Sequence, residues 1–162
     1  RAYRYFTAIQ RYSDSIMINA RERGPTNVAS GRLMVCSLKD AQKINSKDVE
    51  HLIKALMKRE ELGSTGIGKG VAVPHTKHDC IKKIMGTIAR STKGVDFNAL
   101  DGEPVYLFFL LLSPNDSAGA LLAALERIST VIRDTDFRRF MREASGKDGM
   151  VEILREVDGI QV

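Results

Sequence analysis

Arg59-Glu60-Glu61-Leu62-Gly63-Ser64-Thr65-Gly66-Ile67-Gly68-Lys69-Gly70-Val71-Ala72-Val73-Pro74-His75 is the stretch on which the fold turns. Its charged start reads as the last turn of a helix, and Gly63 reads as the stop, because glycine enters left-handed backbone conformations without steric cost. A glycine-rich loop follows, then the apolar run Val71 to Val73, whose β-branched valines suit an extended chain. Helix thus gives way to strand within one short segment. Pro74 fixes its own φ and biases Val73 away from helix, so His75 emerges at a strand end with little room to wander. Imidazole titrates near neutral pH and its unprotonated nitrogen is a competent nucleophile, which makes His75 a candidate for chemistry.

The same alternation extends in both directions. Upstream, Asn45 or Ser46 opens a helix that ends at Gly63, with Val49, Leu52, Ile53 and Leu56 on one face. Before it, Gly24-Pro25 marks a turn, and Thr26 or Asn27 can cap a helix to about Gln42 in which Val28, Leu33, Met34 (or Val35) and Leu38 recur at helical spacing. Arg1 to Arg11 reads as helix and Ile16 to Ile18 as a short strand. Downstream, Lys83 to Ser91 reads as strand, Asp101-Gly102 as a turn, and Val105 to Leu112 as a strand buried on both faces. Pro114-Asn115-Asp116 breaks that strand. The next helix, about Ala118 to Arg133, has Leu121, Leu122, Leu125, Ile128 and Ile132 as its expected buried set. Shorter helices around Phe137 to Ala144 and Met150 to Val157 follow, the second with Ser145 and Asp148 at capping-box spacing. Interleaved helices and strands predict an α/β fold, helices packed against a central sheet, in one domain over residues 1–162.

Composition narrows the function classes. An apolar content of 43% and a charged content of 28% belong to a globular chain, not a disordered one. Cys36 and Cys80 form no paired motif, which argues against a disulfide framework. The run from Val105 to Leu112 is far short of the roughly 20 residues of a membrane span, and Arg1 to Phe6 lack the apolar core of a secretory signal. We expect a cytoplasmic protein without membrane insertion, and a few further residues ahead of Arg1. A net charge of +5 invites a nucleic-acid reading. The basic residues are spread out, however, with local clusters only at Lys54/Lys58/Arg59 and Arg138/Arg139/Arg142 and no interleaved aromatics to stack bases. No nucleic-acid partner is expected; an acidic protein surface would be attracted equally well.

The ordered run R-E-E-L-G-S-T-G-I-G-x-G-V-A-V-P-H resembles the signature around the phosphorylated histidine of enzyme IIA domains of the bacterial phosphoenolpyruvate:sugar phosphotransferase system, in the mannitol/fructose/nitrogen-regulatory class. Gly94-Val95-Asp96-Phe97 and Leu100-Asp101-Gly102-Glu103-Pro104-Val105 extend the resemblance. It implies a central mixed β-sheet flanked by helices. It also implies a phosphocarrier: His75 accepts a phosphoryl group from a histidine phosphocarrier protein and passes it to a IIB component or a regulatory target. No cofactor or metal is implied. The absence of a fused IIB-like cysteine motif favours a free-standing member, regulatory or serving a separate sugar-transport complex, over part of a transporter polypeptide.

Each site residue has a plainer reading. A strand-end histidine is usually structural; the seventeen-residue context is what favours phosphoryl transfer at His75. Arg59 could merely cap its helix C-terminus, but the resemblance sets it beside the phosphohistidine. Ser64 and Thr65 could offer hydroxyls, and Gly66, Gly68 and Gly70 backbone N–H groups, as a phosphate-binding loop lining the same cleft; the plainer reading of the glycines is a helix-to-strand turn, and both roles can hold at once. Gly63 to Lys69 mimics G-x-x-x-x-G-K, yet Gly70 replaces the hydroxyl residue and the order is helix–loop–strand, so nucleotide binding is rejected. His75, His78 and Cys80 spell H-x-x-H-x-C without a second cluster at zinc spacing, His51 lying on the preceding helix, so no metal is expected. The resemblance places a second histidine at the start of an H-L-x-x-L helix. Here that segment is Leu121-Leu122-Ala123-Ala124-Leu125, and Leu121 takes the histidine's position, facing the His75 cleft. A regulatory binding module with weak or no phosphotransfer is therefore the alternative.

Overall fold

The structure, a computed structural model, describes residues 26–157. The expected helix at Arg1 to Arg11, strand at Ile16 to Ile18 and turn at Gly24-Pro25 lie outside the described residues. Helix α1 spans Thr26–Asp40, a single 3-10 turn covers Ser46–Asp48, and α2 spans Val49–Glu61. Five strands follow: β1 (Gly66–Gly68), β2 (Val71–Ala72), β3 (His75–Lys77), β4 (Met85–Val95) and β5 (Val105–Ser113). Three helices close the described chain: α3 (Ala118–Ile132), α4 (Thr135–Glu143) and α5 (Lys147–Val157).

β5 is the spine of a mixed sheet. β2 and β3 run parallel to one of its edges in the same register, Val71 opposite Leu107 and His75 opposite Leu111. They behave as one strand interrupted at Val73-Pro74, where proline has no N–H to give the ladder. β4 lies antiparallel on the other edge, Met85 opposite Leu112 and Arg90 opposite Leu107. The period of two then divides the sheet's apolar residues between two cores. Phe108, Leu110 and Leu112 pack with Ala72, Ala89 and the α1–α2 residues Met34, Val35, Leu38, Leu52, Ile53 and Leu56. Leu107, Phe109 and Leu111 pack with Val71, Val73, Ile88 and the residues Ala124, Ile128, Phe137, Met141 and Leu154 of α3 to α5. This explains why Val105 to Leu112 is nearly continuously apolar: helices cover both faces.

Several boundaries differ from the sequence reading. α1 stops at Asp40, not Gln42, because Gln42 takes a left-handed φ of 61° and the N–H groups of Gln42 and Lys43 return to Lys39 and Leu38. The expected strand at Lys83 to Ser91 runs on to Val95 across an irregularity between Arg90 and Val95. α4 begins at Thr135 because Asp134 accepts from the N–H groups of Asp136 and Phe137, an N-cap that the sequence reading passed over. α5 begins at Lys147, ahead of the expected Met150. Part of the glycine loop is strand: β1 pairs antiparallel with β2. Gly66 is required there, since a Cβ would come within 2.9 Å of the Ala99 backbone. α3 buries Leu121, Ala124, Ile128, Val131 and Ile132. The expectation fails for Leu122, which sits about a third of a turn off that stripe and is 58% exposed, whereas Leu125 is half-buried and packs against the core. Among the described residues no helix is long and apolar enough to cross a membrane.

Candidate functional site

His75 opens β3 at the C-terminal end of β5. The break at Pro74 sets its chemistry. Val73 sends its N–H to the Thr65 carbonyl, while its own carbonyl lies 2.7 Å from His75 Nδ1. A carbonyl only accepts, so Nδ1 carries the proton and the neutral ring presents its lone pair at Nε2. Burial pushes the His75 pKa below its ordinary value, and the positive Arg59 pushes the same way. The Val73 hydrogen bond and the charge of Glu60 oppose the shift without reversing it. The ring is thus kept neutral to lower pH than a free histidine.

A cleft of about 300 Å³ opens beside the ring. Arg59, His75, Thr76 and Lys77 form one side, and Ala118, Leu121, Leu122 and Leu125 of α3 form the other. Arg59 comes from the last turn of α2, where its Nη1 also donates to the Gly63 carbonyl at 3.0 Å. Both readings of Arg59 hold: it caps its helix and borders the cleft. Leu121 is buried and faces the cleft, as its place in the sequence led us to expect.

The proposed phosphate loop does not join them. Ser64, Thr65, Gly66, Gly68 and Gly70 are absent from the lining of the His75 cleft, contrary to expectation. The side chains of Ser64 and Thr65 are committed elsewhere. Ser64 Oγ donates to the Phe97 carbonyl and accepts from Gly66 N–H, while Thr65 N–H and hydroxyl both go to the Glu60 carboxylate. Gly68 abuts Asp101 and Gly70 abuts Tyr106. The glycines serve close packing and the turn.

The H-x-x-H-x-C residues form no metal site either. His78 Nδ1 accepts the Cys80 N–H at 3.1 Å, and its ring stacks on exposed His51 with centroids 6.1 Å apart. Burial raises the Cys80 pKa, so the thiol resists forming the thiolate a metal needs. Among the described residues no group of three or more His, Cys, Asp or Glu is arranged to hold a metal ion.

Lys77 is a site residue that the sequence reading missed. Its signal was available: residues 75 and 77 share a strand face by the period of two. Leu122 and Leu125 also border the cleft, from the same helical segment as Leu121.

The family model of the phosphoenolpyruvate-dependent sugar phosphotransferase system, EIIA 2, matches residues 32–157. The chain belongs to that family. It is a phosphotransferase-system component of the EIIA type, similar to proteins with both regulatory and sugar-specific names. A nitrogen regulatory protein of Bradyrhizobium diazoefficiens is 36% identical over 70% of this chain and 74% of its own length. A fructose-specific EIIA component of Haloferax volcanii is 34% identical over 73% of this chain and 75% of its own length. The solved nitrogen regulatory protein IIA-Ntr of Neisseria meningitidis superposes with a TM-score of 0.73 at 28% identity, covering 82% of this chain and 89% of that one. The mannitol IIA of Escherichia coli, at 18% identity and a TM-score of 0.67, shares the fold over 82% of this EIIA chain and 92% of its own.

Proposed function

We propose that His75 Nε2 is the phosphoryl acceptor of a phosphocarrier protein. The observation that carries this reading is the Nδ1–H hydrogen bond to Val73, which leaves Nε2 as the nucleophilic nitrogen of a ring kept neutral by burial and by Arg59. In the transfer, the P–N bond of a protonated donor phosphohistidine breaks as the P–Nε2 bond forms. The donor leaves as a neutral imidazole, and the positive charge passes to the His75 ring, whose Nδ1 keeps its proton, hydrogen-bonded to the Val73 carbonyl. Arg59 and Lys77 border the cleft where the phosphoryl oxygens gather charge, which is the kind of stabilisation that phosphoryl transfer needs most.

The donor in this reading is a histidine phosphocarrier protein, and the acceptor a IIB component or a regulatory target. A IIB partner is what the solved complex of mannitol IIA with phosphorylated IIB, a fold relative, contains. Exposed Leu122 on the cleft rim offers apolar area to such a protein surface. A cytoplasmic location goes with this chemistry. The second reading is a regulatory module that signals by contact with little transfer; it is favoured by Leu121, which supplies the cleft with an apolar side chain at the position where the family resemblance implies a histidine.

Incubation with phosphoenolpyruvate, the general phosphotransfer enzyme and a histidine phosphocarrier tests the first reading. The protein should gain one acid-labile phosphoryl group, and phosphorus NMR should place it on Nε2 of His75. His75→Ala should abolish labelling, while His78→Ala and His51→Ala should not. Label on Nδ1 would overturn the proposed geometry, and absence of label with carriers of its own cell would favour the contact-signalling module.

A further inference from the structure

The basic cluster Arg138/Arg139/Arg142 has no part in the His75 site. It lines a second cleft, of about 620 Å³, together with Lys69, Ser91, Thr92, Thr135 and Glu143. This cleft lies at the other end of the sheet. His75 is level with Leu111 on β5, whereas Gly70 bonds to Tyr106 N–H, about five residues or roughly 17 Å away along the strand.

We propose that this second cleft binds a phosphorylated small molecule carrying at least two negative charges. Four cations, Lys69, Arg138, Arg139 and Arg142, face one carboxylate, Glu143. The α4 members stand three, four and seven residues beyond Thr135, on one helical face. Like charges at that spacing weaken a helix, so their grouping is a cost to α4. Only Arg139 has an ion-pair partner among the described residues, Asp136 at 3.0 Å. Arg138 is steered by the Ile132 carbonyl and Thr135 Oγ1, and Arg142 by the Tyr106 ring, whose centroid lies 3.7 Å from the guanidinium carbon. These contacts orient the forks without neutralising them, and a guanidinium fork matches phosphate oxygens in pairs.

Two features beneath the surface point the same way. Ser91, 1% exposed, accepts from Gly94 N–H and retains an uncommitted hydroxyl hydrogen at the cleft. The carbonyls that end α4 would repel an anion, but buried Arg90 takes those of Met141, Arg142 and Ala144 on its Nη1. The volume falls in the range of roughly 300 to 1,000 Å³ typical of small-molecule sites. A polymer is disfavoured, because the other basic cluster, Lys54/Lys58/Arg59, sits on α2, across the sheet from α4. No continuous positive track joins the two. The site stands independently of the phosphocarrier reading.

The test is an amide-resolved NMR titration of the folded protein with pyrophosphate and with adenosine diphosphate, at physiological ionic strength. Saturable shifts should centre on Lys69, Ser91, Thr92 and the amides from Thr135 to Arg142. The double variant Arg138→Gln/Arg142→Gln should weaken pyrophosphate binding at least tenfold, with His75 labelling unchanged. If that variant does not fold, Lys69→Asn on the exposed turn should still weaken it at least threefold. Failure of both probes to saturate, or shifts spread evenly over α2 and α4, would overturn the proposal. So would tighter binding of an oligoglutamate peptide on this face, which would assign the cleft to an acidic protein.

Discussion

Arg59→Ala should impair the phosphoryl acceptor in two separable ways. Arg59 borders the His75 cleft and contributes to lowering the His75 pKa, second to burial among the lowering influences. Removing it takes a cation away from both the free imidazolium and the phosphorylated product. For a guanidinium that is partly exposed, at several ångströms from the phosphoryl charge, the loss is about 1 to 2 kcal/mol after solvent screening. That corresponds to roughly five- to thirtyfold in the phosphorylation equilibrium, at about 1.4 kcal/mol per factor of ten. The sign of the pH effect is distinct. Without Arg59 the His75 pKa rises back toward its ordinary value of about 6.5, so more of the acceptor is protonated in mildly acidic solution. The deficit of the variant should therefore be smallest near pH 8 and widen as pH falls below about 6.5. The same shift links to stability. A depressed folded-state histidine pKa gives stability that is full above the unfolded value and declines as pH falls through the folded one. That acid decline should be shallower in Arg59→Ala. Arg59→Lys should retain most of the pKa depression and recover part of the transfer. The assay pairs NMR titration of the His75 ring with labelling rates across pH 5.5 to about 8. An unchanged titration curve in Arg59→Ala, or a deficit independent of pH, would refute the electrostatic coupling of these two residues.

Two further outcomes follow from packing. Leu121→His should lengthen the life of phospho-His75, measured by loss of the phosphorus NMR signal, at a cost of about 1 to 2 kcal/mol in urea unfolding because a buried apolar side chain is lost; an unaltered lifetime would remove Leu121 from the site. Arg90→Met should destabilise the protein by about 2 to 4 kcal/mol in the same measurement, since three carbonyls at the end of α4 lose the donor they share. A loss below about 1 kcal/mol would mean that water replaces the guanidinium there.

The elements were legible where local chemistry and burial agree. The α2 face of Val49, Leu52, Ile53 and Leu56 is the buried set that its spacing predicts, and Val105 to Leu112 is the doubly covered strand that its composition predicts. The family resemblance in the Arg59-to-His75 run is carried by residue order alone, and the family match bears it out. On α3 only Leu122 departs from the expected buried set, because it matches Leu121 in hydropathy. What separates the two is the way the helix is set against the sheet.

The glycine-rich run was legible as a turn but not as to which way its polar groups point. Sequence by itself determined that helix yields to strand before His75, that Pro74 stiffens the approach, and that the run resembles a signature of the family to which the chain belongs. Only the tertiary structure decided that Val73 holds the Nδ1 proton, that Lys77 borders the His75 cleft, and that Ser64 and Thr65 bond to Phe97 and Glu60. The physical reason is range. Backbone conformation is set by residues a few positions apart, whereas the protonation, polarity and access of a site are set by groups that the sheet register brings together from distant parts of the chain.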